Sequence, residues 1–385
     1  MKIFKKQSDQ LISKVVILSI IFGFAAGVVG QIVADVYVDP YQQDLLYPNL
    51  NINGNIGSNI PELRRVNRFL GIEQDFEVSK SINKVEPSLA GIYRKKSGSN
   101  NPLNEIYLPD ELLTNGFILT SDGWLVSFGN AFESLATSNL VVLYQGKVYD
   151  IDELITDSTT EVVFLKIAAG NLPVVVLGNS GEANLGQLAI VINNLDEAVV
   201  VNIKNPNYLE VSSANNYVIS SEQYGKAILL TNDLEQTFLG SPLVNLAGEV
   251  IGVIKQVDDG LVTAVPIDQF RSIILDVLRS SIVKRPLLGV DYIDLASING
   301  LSKDLTQGLN QGALIWKNPS RNTPAFAADL REDDIILNID GQAVDSNSNL
   351  TQLIQQYQAG DQIDIEILRD GQTLSRTATL VIDLD

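Results

Sequence analysis

Short runs of β-forming residues, separated by turn signals, fill the chain from about Ser79 to Pro266. Examples are the runs NGFILTSDGWLVSF, LVVLYQGKVYDI, EVVFLKIA, LAIVINN, NYVISS and EVIGVIK. Many short strands rich in Val, Ile, Tyr and Phe are typical of a β-barrel or β-sandwich. The first clear helix pattern is IDQFRSIILDVLRSS, which begins at Ile267 and predicts a closing helix. We therefore predict a mainly β domain over residues 79–283.

The last part of the chain, residues 284–385, predicts a smaller α+β domain. It combines the strands ALIWKN and DIILNID with a helix near Ser348 to Gln358 and the strand pair QIDIEILRDGQTLSRTATLVI. The Asp370-Gly371 pair between two alternating runs is a strong hairpin signal.

The first residues predict a membrane anchor. Residues 1–14 are rich in lysine, and Val15 to Ala34 carry no charge, a length that can span a bilayer. We predict a cytoplasmic tail over 1–14, a transmembrane helix over 15–35 and a turn-rich stalk over 36–78, with the rest of the chain outside the cytoplasm in a bacterial periplasm or at the cell surface. A cleaved signal peptide is the alternative, although no clean cleavage site follows the apolar run.

Charge and residue usage exclude several classes of function. The chain has 46 acidic and 27 basic residues, a formal net charge of −19, which would repel nucleic acid. It contains no cysteine and no histidine, which excludes a thiolate nucleophile and a histidine base and disfavours a zinc site, whose usual ligands are these two residues. The acidic clusters near Asp150 and Glu332 lack the spacing of a calcium loop, and we expect no metal and no cofactor.

Several motifs resemble those of the HtrA (DegP/DegS-like) family of extracytoplasmic trypsin-like proteases. They are NGFILTSDGWLVSFGNAF (115–132), GSPLVNLAGEVIGVIK (240–255) and GLVTAVPID (260–268), with EVVFLKI between them and a PDZ-like unit after them. The resemblance implies a chymotrypsin-like double β-barrel followed by a PDZ domain, and it suggests a homotrimer.

The same resemblance places the three positions of the family's catalytic triad. They fall on Asn130, Glu161 and Leu239, where the family has its histidine base, its aspartate and its serine nucleophile. A leucine cannot attack a carbonyl and an asparagine amide does not take up a proton at neutral pH. On this basis we expect a pseudoprotease, a catalytically inactive homologue rather than an enzyme.

A nonstandard nucleophile is the alternative. Ser241 lies two positions from Leu239, and lysine replaces histidine as the base in some serine enzymes. Lys166 and Lys226 are the lysines nearest to the candidate regions in sequence. An active endopeptidase that uses Ser241 therefore remains a second hypothesis.

The PDZ-like unit predicts a groove for peptide C-termini. PDZ domains add an extended peptide to a strand edge and bind its terminal carboxylate with a loop of backbone amides. RPLLGV resembles that loop, and the apolar face of the following helix lines either the groove or the core. The candidate peptide-binding residues are Arg285, Leu287, Leu288, Gly289, Val290, Leu350, Leu353 and Ile354.

Together these features predict a membrane-anchored binding protein that senses or scaffolds exposed protein C-termini or unfolded segments in envelope protein quality control. Its partners would be protein or peptide C-termini, the membrane through residues 15–35, and other copies of the chain or a partner protease. A purely structural oligomeric scaffold is the third hypothesis.

Overall fold

The computed structural model describes residues 72–383 except for 99, 130, 131, 133, 134, 212, 259 and 347. These residues belong to one compact unit, Arg68–Asp385, whereas the other unit, Met1–Asn67, lies outside the described residues. The predicted Lys-rich tail, the transmembrane helix at 15–35 and most of the stalk therefore also lie outside them. No helix within the described part of the chain is long and apolar enough to cross a membrane.

The first barrel is a closed sheet of six antiparallel strands in the order β1-β2-β3-β6-β5-β4. Closure leaves no unpaired edge, and apolar side chains alternate into the barrel core. Its strands are β1 (Leu89–Arg94), β2 (Leu112–Ile118), β3 (Trp124–Phe128), β4 (Leu140–Tyr144), β5 (Lys147–Thr156) and β6 (Val162–Ile167).

The second barrel follows in sequence and is closed by pairing between strands β12 and β13, with β7 added in parallel. Its strand order is β12-β8-β9-β11-β14-β13-β7. The strands are β7 (Val176–Leu177), β8 (Leu188–Ile192), β9 (Ala198–Leu209), β11 (Lys226–Leu230), β12 (Pro242–Val244), β13 (Glu249–Asp258) and β14 (Leu261–Pro266).

A shared apolar core joins the two barrels. Phe117 and Phe164 of the first barrel belong to the same buried apolar cluster as Val253 of the second. Phe270 packs edge to face against Phe164 at a ring distance of 6.3 Å. Helix α1 (Ile72–Val85) adds Val85 to this core, although the first seven of its residues fall within the predicted stalk. The predicted closing helix is two 3₁₀ turns, Ile267–Gln269 and Arg271–Ile273, followed by α2 (Ile274–Ser280).

The C-terminal domain is built on one antiparallel sheet with a separate two-stranded ribbon. The Asp370-Gly371 turn joins the longest pair, β20 and β21, as the sequence predicts. The sheet strands are β16 (Asp291–Asp294), β17 (Ala313–Ile315), β18 (Ile335–Ile339), β19 (Gln342–Ala343), β20 (Gln362–Arg369) and β21 (Gln372–Thr379). The ribbon is β15 (Arg285–Leu287) and β22 (Val381–Asp383), and the helices are α3 (Lys303–Thr306), α4 (Pro324–Ala327) and α5 (Leu350–Ile354).

One strand of this sheet comes from the barrel domain. β10 (Val218–Ser220) lies between β9 and β11 in sequence but pairs antiparallel with β16, at the edge of the C-terminal sheet. The fold class is thus mainly β, with a double barrel followed by an α+β domain as predicted, and the two domains share a sheet.

Candidate functional site

Two segments carry several of the predicted site residues. The barrel loop, residues 236–241, leads into β12, and the C-terminal loop, residues 285–290, consists of β15 and the turn that leads into β16. Each is shaped by one glycine with positive φ, Gly240 at 73° and Gly289 at 82°.

The barrel loop is held by its own backbone and by Thr114 and Asn115 of β2. The Leu239 carbonyl accepts hydrogen bonds from the Asn115 backbone N at 2.8 Å, from Asn115 Nδ2 at 2.9 Å and from Thr114 Oγ1 at 3.1 Å. The Leu239 amide donates to the Gln236 carbonyl at 3.0 Å. This amide is therefore already bonded within the loop rather than pointing free towards a ligand.

Two hydroxyl groups flank Leu239 and lie buried without a hydrogen-bond partner among the described residues. They are Thr237 Oγ1 and Ser241 Oγ, and Ser241 is 0% exposed. A buried polar atom without a partner is uncommon and often marks a functional or strained position.

The structure brings one of the three predicted triad positions to this loop. Leu239 is half-buried, and its side chain faces Gly129, where an added Cβ would lie 3.2 Å from Leu239 Cδ2. Asn130, the next residue, lies outside the described residues. Glu161 is exposed on a turn between β5 and β6 with a φ of 60°. These three assignments remain predictions.

A buried ion pair connects the barrels to the start of the C-terminal loop. Arg285 Nε and Asp157 Oδ1 are 2.8 Å apart, and the two residues are 2% and 0% exposed. Arg285 also donates to the Gln269 carbonyl and to Gln355 Oε1, each at 2.9 Å. Its charge is thus neutralised inside the structure, not presented to the predicted groove.

The electrostatics of this contact favour the charged arginine. Burial alone would lower the pKa of Arg285, but the hydrogen bond and charge of Asp157 raise it. The Tyr224 ring lies 5.5 Å from the guanidinium. Burial raises the pKa of Tyr224 to about 12, and the neighbouring positive charge offsets only part of that rise.

The C-terminal loop binds a carboxylate. The backbone amides of Leu288 and Gly289 both donate to Oε1 of Glu222, at 2.9 and 3.0 Å. Gly289 packs against Thr323, whose Cβ would lie 2.4 Å from a Cβ added at Gly289. Val290 donates its amide to Ser221 Oγ at 3.0 Å. Converging amides of this kind form an anion site.

The remaining predicted groove residues are mostly interior. Leu350, Leu353 and Ile354 of α5 are at most 1% exposed and belong to the apolar cluster of the C-terminal domain, whereas Leu287 is half-buried in β15. Thr351 of α5 reaches strand β10, where its Oγ1 donates to the Ser220 carbonyl at 3.2 Å.

Comparison with known proteins follows the same two-domain division. A profile of the trypsin-like peptidase domain matches residues 109–253, and a profile of the PDZ domain matches residues 286–380. A DegP-like periplasmic serine endoprotease of Halomonas elongata is 31% identical over 281 residues, which cover 70% of this chain and 56% of the relative. The chain belongs to the HtrA family.

Other HtrA proteins agree with this membership. The serine protease Do-like HtrB of Bacillus subtilis is 24% identical over 332 residues, 79% of this chain and 70% of HtrB. The solved HtrA-type protease AlgW, in complex with a decapeptide, matches with a TM-score of 0.58 at 20% identity, over 80% of this chain and 99% of AlgW. This likeness shows the fold, and the chain spans little more than half the length of its DegP-like relatives.

The expectation that this HtrA chain is not an enzyme is contradicted by these comparisons. The Halomonas and Bacillus relatives are named as a serine endoprotease and a serine protease. The expectation rested on three positions of one catalytic arrangement, and serine nucleophiles also work with bases other than histidine. The absence of a triad motif therefore did not justify an assignment of inactivity.

Sequence reasoning missed the groups that meet at the C-terminal loop, residues 285–290, which is the PDZ loop of this chain. Glu222 and Ser221 come from the barrel domain, and Asp157 comes from the turn after β5. The sequence signal for this contact is the carboxylate of Glu222, which follows the extended run NYVISS. This signal does not identify the amides that the carboxylate binds. No cluster of three or more potential metal-binding side chains occurs within the described ranges.

Proposed function

We propose that this HtrA protein acts outside the cytoplasm in protein quality control and that its PDZ domain binds exposed protein C-termini. The carboxylate held by the amides of Leu288 and Gly289 carries the proposal. A peptide's terminal carboxylate has the same charge and the same pair of acceptor oxygens. On the side next to this loop, β16 pairs with the short strand β10, and this pairing supports strand addition at that position of the sheet.

Binding to a peptide array tests the proposal. The full chain is incubated with peptides that have free or amidated C-termini, and dissociation constants are measured by fluorescence anisotropy. A charged acceptor strengthens a hydrogen bond by about 1 kcal/mol, and two amides donate to the carboxylate here. Free carboxylates should therefore bind at least about tenfold more tightly. Equal binding of the amidated peptides would refute carboxylate recognition.

Endoproteolysis is the second candidate, and the names of the relatives support it. The chain contains no histidine, so a serine nucleophile requires a base of another residue type. Ser241 is the serine next to the barrel loop's glycine, and its buried hydroxyl has no hydrogen-bond partner among the described residues. Attack on a substrate would first require this hydroxyl to become accessible.

The test of endoproteolysis combines unfolded casein with a fluorophosphonate probe. An endopeptidase that uses Ser241 would cleave casein and take up the probe, and Ser241→Ala would abolish both. Cleavage that persists in Ser241→Ala would reject this nucleophile, and no cleavage by the unaltered chain would reject the candidate.

Membrane anchoring and assembly complete the proposal. The uncharged run within residues 15–35 supports an anchor with the body in the periplasm or at the cell surface, and family resemblance supports a trimer. Fractionation of the full chain, compared with a chain that lacks residues 1–35, tests the anchor. The solution mass of the external part tests the trimer.

A further inference from the structure

One segment of the barrel domain lies where a PDZ ligand would lie. This β10 segment, residues 218–222, belongs to the long connection between β9, which ends at Leu209, and β11, which begins at Lys226. Long connections that carry their own ordered contacts are commonly functional.

The backbone of the β10 segment has the direction of an added strand. Val218 is paired with Ile293 and Ser220 with Asp291, so the segment runs antiparallel to β16 and towards the C-terminal loop. The Ser221 amide then donates to the Val290 carbonyl at 2.8 Å. This is the β-augmentation arrangement, supplied by the protein itself.

The end of the β10 segment places a carboxylate in the loop. Glu222 is 9% exposed, and its Oε1 accepts from Leu288 N, Gly289 N and, at 2.7 Å, Ser221 Oγ. A carboxylate removed from water needs such donors to offset its lost hydration. The side chain of Glu222 therefore takes the position that a terminal carboxylate requires.

Side-chain contacts hold the rest of the segment. Ile219 packs against the apolar cluster of the PDZ domain. Thr351 Oγ1 lies 3.2 Å from the carbonyls of Ser220 and Gln223, and Tyr292 OH lies 3.1 Å from Thr351 Oγ1. The apolar side chain of Ile219 and the hydrogen bonds of Thr351 thus hold the segment in the groove.

We propose that the β10 segment is an internal ligand of the PDZ groove, which a peptide with a free C-terminus must displace in order to bind. This inference rests on the proposed function of the groove and adds its regulation. The strand edge of β16 and the two amides cannot serve both occupants at once, because each amide has one hydrogen to donate.

Removal of the Glu222 carboxylate should open the groove. The apparent affinity for a peptide is proportional to the fraction of molecules in which the groove is open. Glu222→Ala should increase this fraction, so this variant should bind a C-terminal peptide about tenfold more tightly than the unaltered chain. The probe is a fluorescent peptide with the sequence of residues 215–221, NNYVISS, and a free carboxylate. Glu222→Gln, which keeps the shape without the charge, should give a smaller gain.

The matched control is Glu86→Ala, which removes an exposed glutamate at the start of a 3₁₀ turn in the barrel domain. It changes the net charge by the same amount and should leave the dissociation constant unchanged. Equal affinities for the unaltered chain and Glu222→Ala would overturn the internal-ligand proposal.

A reversible disulfide crosslink between β10 and β16 provides a second test, which leaves Glu222 in place. The paired residues Ser220 and Asp291 stand opposite each other on β10 and β16, at a Cα separation expected to be about 4.5–5.5 Å, which suits a disulfide. Because the chain has no cysteine, Ser220→Cys with Asp291→Cys introduces the only pair. The oxidised protein should lose NNYVISS binding at least about tenfold, and reduction should restore it.

The outcomes separate this inference from the proposed function. If the oxidised and reduced forms bind equally, the segment does not compete and the internal-ligand proposal fails while C-terminal peptide binding stands. If neither Glu222→Ala nor the reduced double-cysteine protein distinguishes free from amidated peptides, the proposed function of the groove itself fails.

Discussion

The barrel loop and the PDZ loop are both short turns shaped by one left-handed glycine, but their amides have different partners. In the barrel loop the Leu239 amide donates to the Gln236 carbonyl, and the Leu239 carbonyl accepts three hydrogen bonds from β2. In the PDZ loop the Leu288 and Gly289 amides both donate to a carboxylate from another domain. The difference teaches that a loop binds an anion only where its amides are free of their own chain's carbonyls.

The largest expected effect comes from the support of the PDZ loop. Asp157→Ala would leave the Arg285 guanidinium buried without its counter-ion, and loss of one partner of a buried pair costs about 3–5 kcal/mol. Urea denaturation of the two proteins measures this loss. Asp150→Ala, which breaks the exposed pair with Lys95, should change stability little, and an equal loss in the two variants would contradict the argument.

Gly240→Ala tests the shape of the barrel loop. Its φ of 73° is strained for other residues, and an added Cβ would lie 2.3 Å from Thr114 Oγ1 and 2.4 Å from the Asn115 carbonyl oxygen. Strain and overpacking together should lower the free energy of unfolding by about 2–4 kcal/mol. Gly146→Ala has a similar φ of 71° with no atom within 4 Å, so it should lose only about 1 kcal/mol in the same denaturation experiment.

Gly289→Ala tests the PDZ loop in the same manner but with a binding measurement. The new Cβ would meet the Thr323 side chain and move the two amides, so peptides with free C-termini should bind about 10- to 30-fold more weakly. Gly308→Ala has a φ of 78° and open space around it, and it serves as the control in the same domain. Unchanged discrimination between free and amidated peptides in Gly289→Ala would contradict the role of this loop.

The smallest expected effect is on alkaline stability. The folded-state pKa of Tyr224 is about 12 against 10.0 for the ordinary phenol, so the unfolded chain binds fewer protons between these values. Stability contributed by this phenol is complete below pH 10 and is lost as the pH rises towards 12. Between pH 9 and 11.5, Tyr224→Phe should lose about 1–2 kcal/mol less of its free energy of unfolding than the unaltered chain, as measured by denaturant titration. An equal loss in the two proteins would contradict this role of Tyr224.

Much of the fold could be predicted from local patterns. Short runs of Val, Ile, Tyr and Phe separated by turn signals predicted the barrel strands, because these residues fit the pleated and buried surface of a sheet. The Asp370-Gly371 turn was equally visible, and both residues have the positive φ that a tight hairpin requires, 50° and 77°. The motif order then predicted the double barrel and the PDZ domain.

The partner of a strand could not be predicted in the same way. The run NYVIS predicted a strand but not that Val218–Ser220 would leave its own barrel and pair with β16, because alternation specifies a face and not a neighbour. Arg285 was a candidate peptide-binding residue, yet it lies buried against Asp157, which is 128 positions away in sequence. The triad positions inferred from motif alignment led to the expectation of an inactive homologue, and the names of the relatives contradict that expectation.

The tethering of Glu222 to the domain it contacts also has a consequence for signalling. A ligand carried on a short connection in the same molecule has an effective concentration on the order of millimolar, whatever the amount of protein in the compartment. Under the internal-ligand proposal, that constant competitor sets a threshold concentration of peptide C-termini, below which the groove stays occupied by the β10 segment. C-termini that are scarce or bind weakly would not displace the segment, and only a high concentration of tightly binding C-termini would occupy the groove.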